Sequence, residues 1–295
     1  MSTRVCLLGF GEVGQALVAD FRSAGISAMS SFDVLFTDPN SAPSRAAIAA
    51  DVRASKSAKD AVAEADLVVC AVTAAQDLAA AQSVAGHMKP SAYFLDVNSV
   101  SPGVKQQAAS IIESGGARYV EAAIMSPISP KRIASPMLFG GPHAATFLPL
   151  AQRLGFSGAQ EFSDQIGKAS AAKMCRSVMI KGMEALLTES LLTARHYGVE
   201  STVLDSLRNL FPGENWPVLA RYMISRSMIH GRRRAEEMRE VAKTVSEAGL
   251  DSHMSAASAQ RQDWAAAFRD AASIEELEPM LDAVLARATT EKVSC

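Results

Sequence analysis

Cysteine is scarce in this sequence, with four residues in a chain of 295. Cys6, Cys70, Cys175 and Cys295 are scattered without the spacing of metal ligands, so we expect no metal site. Cys6 and Cys70 also lie in apolar runs typical of buried strands, where a free thiol behaves as a small apolar side chain. This use of cysteine predicts reduced thiols and a cytoplasmic protein.

Long apolar runs and an excess of charge of one sign are also lacking. No run reaches the roughly 18 residues that a membrane helix needs. No signal-like segment precedes the first strand pattern, so we expect a protein that is not exported. The formal net charge is −2, and the single cationic run, HGRRR at 230–234, is too short for a nucleic-acid or anionic membrane surface. We therefore expect a small-molecule partner.

Short β-like runs alternate with Ala-rich helical segments through the first half of the chain. This alternation predicts an α/β fold with a parallel, doubly wound sheet. After about residue 165 the strand patterns stop, and one long helix to about Tyr197 precedes further helices broken at FPGENWP, AGLDSH and ELEP. We predict a doubly wound domain over 1–164 and an all-helical domain over 165–295. The β-like runs are RVCLLGF, DVLFTD, ADLVVCAV, AYFLDVN, RYVEAAIM and PMLFGG.

Three glycines, Gly9, Gly11 and Gly14, follow the first predicted strand in the spacing GxGxxG. The pattern is weak alone, but between a strand and an amphipathic helix it is typical of a Rossmann dinucleotide site. The glycines there allow a tight turn, close approach to a pyrophosphate and close packing of helix on sheet. The helix N-terminus also offers N–H groups to phosphate. The predicted cofactor-binding residues are Gly9, Phe10, Gly11, Glu12, Val13, Gly14, Asp38, Val72, Thr73 and Asn98.

Two residues bear on the choice between NAD and NADP. Asp38 is expected at the end of the second strand, where a carboxylate would accept hydrogen bonds from ribose hydroxyls and repel a 2′-phosphate. Arg45 follows a few residues later and could reach a 2′-phosphate. The sequence favours NAD and leaves NADP open.

Four motifs carry a resemblance to a known family: GFGEVG, DVNSVSP at 96–102, EAAIMSP at 121–127 and GKASAAKMCRS at 167–177. Over nearly its whole length the chain resembles the β-hydroxyacid dehydrogenases, relatives of 6-phosphogluconate dehydrogenase, and in particular their poorly characterised phosphogluconate-dehydrogenase-like branch. The last three family motifs read D-x-S-T-x-x-P, D-x-P-V-S-G-G and G-x-G-x-x-x-K-x-x-N-N. The resemblance implies a Rossmann domain followed by an all-helical domain, with Lys173 as the catalytic lysine.

The resemblance also implies a set of substrate-binding residues, and several of them depart from the family pattern. Met125, Ser126 and Pro127 replace the serine-glycine-glycine turn that grips a substrate carboxylate. Arg176 and Ser177 replace two asparagines, and Arg176 could bind an anion. Glu236 replaces a lysine of a late helix, one turn after Arg233. The implied substrate-binding residues are Asn98, Ser99, Ser126, Arg176, Ser177 and Arg233.

The predicted function is an NAD(P)-dependent oxidoreductase that transfers a hydride between the nicotinamide and a small hydroxy acid or a related alcohol or carbonyl compound. Lys173 would remove or donate the hydroxyl proton, whereas Lys181 on the same helix is expected to be dispensable. One alternative on the same fold is an imine or bulky-ketone reductase. An alternative of another class is a non-catalytic dinucleotide sensor. Family members of this shape bury the long helix between subunits, which implies a homodimer or a larger homo-oligomer.

Two sequence features are more typical of structural roles than of catalytic ones. His196 and His230 lie at predicted helix ends, and lone histidines of this kind are usually caps or surface groups. The arginines of HGRRR precede Glu236 and Glu237, a pattern typical of a solvated, salt-bridged helix.

Overall fold

The computed structural model describes residues 3–209 and 212–292. The chain forms two compact units, Met1–Met174 and Cys175–Cys295. The division between these units falls within the long helix that begins at Lys168, ten residues after the predicted boundary between residues 164 and 165.

The first unit is built on an eight-stranded sheet, with strand order β3-β2-β1-β4-β5-β6-β7-β8. Every neighbouring pair is parallel except β6 and β7, which are antiparallel. This confirms the predicted α/β fold with a doubly wound sheet. The strands are β1 (Val5–Leu8), β2 (Met29–Phe32), β3 (Arg53–Ala54), β4 (Leu67–Cys70), β5 (Tyr93–Asp96), β6 (Arg118–Ile124), β7 (Met137–Gly140) and β8 (Ala159–Ser163).

One predicted strand is wrong. The run DVLFTD does not extend the sheet, because β2 ends at Phe32 and residues Val34–Thr37 form a 3-10 helix. Asp33 begins this turn, since its side chain accepts a hydrogen bond from the N–H of Leu35. β2, β3 and β8 lie outside the predicted runs: β3 has two residues, and β8 ends just before the domain boundary predicted at 164–165.

Helices cover both faces of the sheet. Val5 and Leu7 of β1 pack into one apolar core, and the alternate residues Cys6 and Leu8 pack into the other. A strand buried on both faces reads as a continuous apolar run, which explains the pattern in the sequence. The helices of this unit are α1 (Glu12–Ser23), α2 (Ala42–Ala49), α3 (Ala58–Val62), α4 (Asp77–Val84), α5 (Pro102–Ser114) and α6 (Ala144–Arg153), with 3-10 helices at Val34–Thr37, Ala74–Gln76 and Arg132–Ala134.

The second unit is helical, as predicted. Its apolar core contains the large side chains Trp216, Met228, Phe268 and Met280. None of the helices in the described ranges is long and apolar enough to cross a membrane. The remaining helices are α7 (Lys168–His196), which begins in the first unit, α8 (Glu200–Leu207), α9 (Trp216–Glu247), α10 (His253–Ala265), a 3-10 helix at Ala266–Ser273, and α11 (Leu277–Lys292).

Candidate active site

The glycine loop after β1 has the geometry of a phosphate-binding turn. Gly9 has a φ of +86°, and a Cβ atom there would lie 2.4 Å from the carbonyl oxygen of Ala71. A Cβ on Gly14 would lie 2.5 Å from the carbonyl oxygen of Gly9, whereas one on Gly11 would meet nothing within 4 Å. Gly11 is also the N-cap of α1 and makes no side-chain cap bond. The loop therefore leaves open space at the helix N-terminus, where a pyrophosphate would bind.

Asp33 occupies the position at the end of the second strand where the sequence predicts Asp38. It directly follows β2, and its Oδ2 accepts a hydrogen bond from the N–H of Phe10 in the glycine loop at 2.8 Å. Asp38 instead ends the 3-10 helix, is exposed, and accepts from the N–H of Asn40. The prediction that Asp38 ends the second strand is wrong, because the intervening residues coil into a turn. Spacing could have found Asp33, which follows Gly14 by 19 residues, close to the roughly 20 usual in this motif.

Two other cofactor-side residues lie beside the glycine loop. Val72 follows β4, the strand next to β1, and its Cγ1 is 3.1 Å from the Cβ position of Gly9. Thr73 is exposed and begins the 3-10 helix Ala74–Gln76. Arg45, on α2, is exposed and donates to the backbone carbonyl of Asn40.

Asn98 is held by contacts that the sequence did not reveal. It is only 5% exposed, and its backbone N–H donates to Asp96 Oδ1 at 2.9 Å. Its Nδ2 donates to Asp77 Oδ1 at 2.6 Å and to Cys70 Sγ at 3.3 Å. Its Oδ1 is buried and accepts no hydrogen bond from the described residues. Burial and the nearby carboxylate of Asp96 raise the pKa of Asp77 to about 7.

A buried ion pair lies beneath Asn98. Lys105 Nζ is 2.8 Å from Asp96 Oδ1, and the hydroxyl of Tyr119 donates to Asp96 Oδ2 at 2.6 Å. Burial alone would lower the pKa of Lys105, but the carboxylates of Asp96 and Asp77 raise it above its ordinary value. Asp96 is fully buried, and these partners satisfy both of its oxygens. The loop that follows β5 is therefore tied to the sheet by charged groups.

The carboxylate of Glu121 anchors the first turn of α7. Its Oε2 accepts from the N–H of Gly167 at 2.6 Å, and its Oε1 accepts from the N–H of Ser170 at 2.5 Å. The hydroxyl of Ser170 donates to the carbonyl oxygen of Val100, in the loop after β5. Gly140 on β7 leaves the necessary room, because a Cβ there would lie 2.6 Å from Glu121 Oε2. Lys173, half-buried, follows Ser170 by three residues on the anchored helix.

Two family models match the chain, one in each compact unit. Residues 4–146 match the NAD binding domain of 6-phosphogluconate dehydrogenase. Residues 194–265 match a domain of unknown function, DUF1932.

Solved structures similar to this one cover nearly the whole chain. A conserved hypothetical protein from Sinorhizobium meliloti 1021 is 34% identical, with a TM-score of 0.74 and 97% of each chain covered. A second conserved protein of unknown function, described as structurally similar to 3-hydroxyacid dehydrogenases, is 30% identical, with a TM-score of 0.69 and coverage of 89% of this chain and 96% of its own. The Mycobacterium tuberculosis 3-hydroxyisobutyrate dehydrogenase, solved with L-serine, is 19% identical, with a TM-score of 0.71 and coverage of 96% and 99%.

The chain belongs to the β-hydroxyacid dehydrogenase family. It is an NAD(P)-dependent oxidoreductase of this 6-phosphogluconate dehydrogenase-like group. An imine reductase from Streptomyces aurantiacus shares the fold at 16% identity and a TM-score of 0.54, covering 96% of this chain and 99% of its own. In the part of the chain that the structure describes, no group of three or more His, Cys, Asp or Glu side chains could hold a metal ion.

The family's substrate-side motifs take an altered form here. Ser99 is half-buried in the loop after β5. The hydroxyl of Ser126 donates to the carbonyl oxygen of Pro127 at 3.0 Å, so it is engaged within its own loop. On α7, Arg176 is exposed and Ser177 is buried.

Lys181, whose replacement we expect to change turnover little, is a buried residue with charged partners. It is 9% exposed, its Nζ lies 2.5 Å from Glu237 Oε2, and it donates to the hydroxyl of Ser177 at 3.4 Å. Burial lowers the pKa of Lys181, and the charge of Glu237 opposes that shift. Arg233 is exposed and pairs with the same carboxylate at 3.2 Å, as the salt-bridged interpretation of the helix predicts.

The two histidines differ in their surroundings. His196 is exposed and stacks edge-on against Tyr197. His230 lies within α9, not at its end, and contacts Arg226 Nη1 through its Nε2 at 2.8 Å.

Proposed function

We propose that this chain transfers a hydride between NAD(P) and a small hydroxy acid, or a related alcohol or carbonyl compound, with Lys173 as the general acid and base. The observation that carries the proposal is the anchoring of α7 by Glu121, one turn before Lys173. The contact from Ser170 to Val100 joins that turn to the loop that holds Asn98 and Ser99. A proton carrier must be held close to the reacting oxygen, and a rigid, capped helix is suited to that.

The residues of the first unit fit a dinucleotide. Gly11 and the uncapped start of α1 would hold the pyrophosphate, and Asp33 would accept from the ribose hydroxyls, with Asp38 as the other candidate. Val72 and Thr73 would line the same site. When bound, the nicotinamide supplies the hydride acceptor or donor.

The protein's own side chains would handle the proton and the substrate. In the oxidative direction Lys173 Nζ removes the substrate's hydroxyl proton, and in reduction it returns that proton to the carbonyl oxygen. Asn98 and Ser99 would orient the substrate's polar groups. The remaining substrate-side residues in this proposal are Ser126, Arg176, Ser177 and Arg233.

Reduction of an imine or a bulkier ketone is the second candidate. One observation favours it. The Ser126 hydroxyl donates its hydrogen bond to the neighbouring carbonyl oxygen of Pro127 and not to a substrate carboxylate. The retained Lys173 favours alcohol and carbonyl chemistry.

We also propose a cytoplasmic homodimer or larger homo-oligomer. Large apolar side chains on α7, Met179 and Leu186, are exposed and lie two helical turns apart. Cys6, Cys70 and Cys175 are free thiols, which suits a reducing compartment. Sedimentation at micromolar concentration tests the assembly, and a monomer there would contradict it.

A substrate screen with both cofactors tests the activity. Hydroxy acids, neutral alcohols and amines are supplied with NAD or NADP, and formation of the reduced nicotinamide is followed by absorbance. We expect turnover of one or more hydroxy acids. Turnover of amines alone would favour the imine reductase, and dinucleotide binding without turnover of any class would favour a sensor.

A further inference from the structure

Helix α9 carries arginines around His230, and of these the proposed function uses only Arg233. Arg226 lies one turn before His230 and contacts its ring. Arg233 and Arg234 follow within about one turn, and the charge of Arg269, from the 3-10 helix after α10, acts on the same ring. We call Arg226, Arg233, Arg234 and Arg269 the α9 arginine cluster.

The fold holds these arginines together through a close helix contact. A Cβ on Gly231 would lie 2.4 Å from the carbonyl oxygen of Gln262 and 2.9 Å from the Cβ of Ala266. The backbone of α9 therefore packs directly against the end of α10, next to His230. Phe268 then has non-helical dihedral angles, one residue before Arg269.

Among the described residues, the ion pairs of this region involve two carboxylates, fewer than its cations. Glu184 accepts from Arg234 Nη1, and Glu237 binds both Arg233 and Lys181. The four arginines and Lys181 supply five positive charges, so three remain after the two carboxylates are counted. Such an excess is unfavourable because like charges repel and buried ones lose hydration.

Unsatisfied donors accompany the excess charge. The Nε atoms of Arg226 and Arg234 are buried and have no hydrogen-bond partner among the described residues, and Arg234 is only 8% exposed. Burial and the four arginine charges lower the pKa of His230 to about 4, so its ring is neutral at neutral pH. The neutral ring accepts through Nε2 from Arg226 Nη1.

We propose that the α9 arginine cluster binds a phosphate dianion. Guanidinium groups bind phosphate oxygens with paired N–H donors, and three excess positive charges suit a dianion better than a singly charged carboxylate. The site is open to a small ion, because Arg233 and Arg269 are exposed and Arg226 and His230 are half-buried. The proposal is independent of any role for Lys173.

Binding of phosphate favours uptake of a proton from solvent by His230, most strongly below neutral pH. The added negative charge offsets the arginines and raises the pKa of His230. The proton attaches at Nε2, which then donates instead of accepting, so Arg226 Nη1 loses its partner and turns to a phosphate oxygen. Glu184, Glu237, Lys181 and the four arginines are the charged groups around this exchange.

Histidine NMR of the full chain tests the site with inorganic phosphate as the probe. The His230 ring is assigned with His230→Gln, and phosphate is added at constant ionic strength. We expect the pKa of His230 to rise by about 1 to 3. Acetate in place of phosphate should raise the pKa of His230 much less.

Two variants supply the matched comparison. Arg269→Gln removes an exposed member of the cluster and should weaken phosphate binding at least about tenfold. Arg239→Gln removes an arginine of the same helix that pairs with Asp263, and it should bind phosphate as the unmodified chain does. Three results would overturn the proposal: a His230 ring that does not respond to millimolar phosphate, equal affinity in the two variants, or acetate binding as tight as phosphate. Inhibition competitive with a substrate found in the screen would assign the phosphate to that substrate, and non-competitive modulation would assign it to a separate effector.

Discussion

Glu121 on β6 and Ser170 on α7 lie 49 residues apart in sequence, and a 2.5 Å hydrogen bond joins the carboxylate of one to the backbone N–H of the other. The same carboxylate accepts from Gly167, so it satisfies two of the N–H groups that a helix start leaves without partners. A negative charge there also complements the helix dipole. Glu121 on strand β6 thus anchors the start of α7, one turn before Lys173.

Glu121→Gln tests whether this anchor positions Lys173. The amide can accept only one of the two hydrogen bonds, and each charged one is worth about 1.5–3 kcal/mol. We expect kcat to fall at least about tenfold, since small displacements of a catalytic group are costly, while dinucleotide affinity stays near native. Glu161→Gln, at an exposed position on β8, is the control. A variant that melts earlier yet keeps its kcat would show that Glu121 serves stability alone.

Lys173→Met tests the proton carrier itself. The substitution keeps the length and helix propensity of the side chain, and loss of general acid–base catalysis typically costs about 10² to 10⁴ in rate. We expect a folded protein that binds dinucleotide normally and turns over at least about a hundredfold more slowly. Lys168→Met, at the exposed start of the same helix, should retain its rate. Near-native turnover by Lys173→Met on the true substrate would reject the mechanism.

Lys181→Met should destabilise the helical unit. It removes the Lys181 ammonium from the carboxylate of Glu237, whose side chain is 17% exposed and which also pairs with Arg233. The expected loss is about 1–3 kcal/mol, measured by urea unfolding. Adding Glu237→Gln should recover part of it, because the carboxylate that has lost the Lys181 charge is then replaced by a neutral amide. A double variant less stable than the sum of the two single variants would contradict this account.

Asp77→Asn should alter the dependence of stability on pH. The pKa of Asp77 in the folded chain is about 7, above its ordinary value of 3.8, so the carboxyl favours the folded state below pH 3.8 and loses that advantage as the pH rises through 7. The amide of Asn does not ionise, so the variant avoids this loss of stability, and its oxygen can still accept the hydrogen bond from Asn98. We therefore expect the difference in Tm, variant minus unmodified chain, to increase as the pH rises from about 4 to 7. Asp164→Asn, an exposed control, should show no such trend, and a Tm difference for Asp77→Asn that stays constant with pH would refute the raised pKa.

The pair Asp33→Asn and Asp38→Asn tests which carboxylate faces the adenosine ribose. Asp33→Asn should weaken NAD about tenfold or more and NADP much less, because it removes a charged acceptor and a charge that repels the 2′-phosphate. Asp38→Asn should change neither affinity, as measured by fluorescence of the reduced cofactors. An NAD-selective loss confined to Asp38→Asn would restore Asp38 as the ribose ligand.

Local spacing explains which parts of the fold and site were predictable. The glycine loop, the apolar strands and the long helix depend on residues close together in sequence, so their patterns are visible there. The second strand was predicted wrongly for a reason that is equally local. Val34, Phe36 and Thr37 favour a strand, but Asp33 starts a turn because its side chain accepts a hydrogen bond from the N–H of Leu35. Propensity alone could not reveal that competition.

The sequence by itself determined the order of elements, the α/β class and the dinucleotide loop, because periodicity and glycine spacing encode them. Only the tertiary structure decided how the buried charges pair. Lys173 and Lys181 have similar neighbours in sequence, yet Lys181 binds Glu237, 56 residues away. Asn98 likewise takes Asp77 as its partner across neighbouring strand ends. Such pairs form where distant segments pack together, and burial then makes each pair necessary, since an unpaired charge in the interior is too costly to keep.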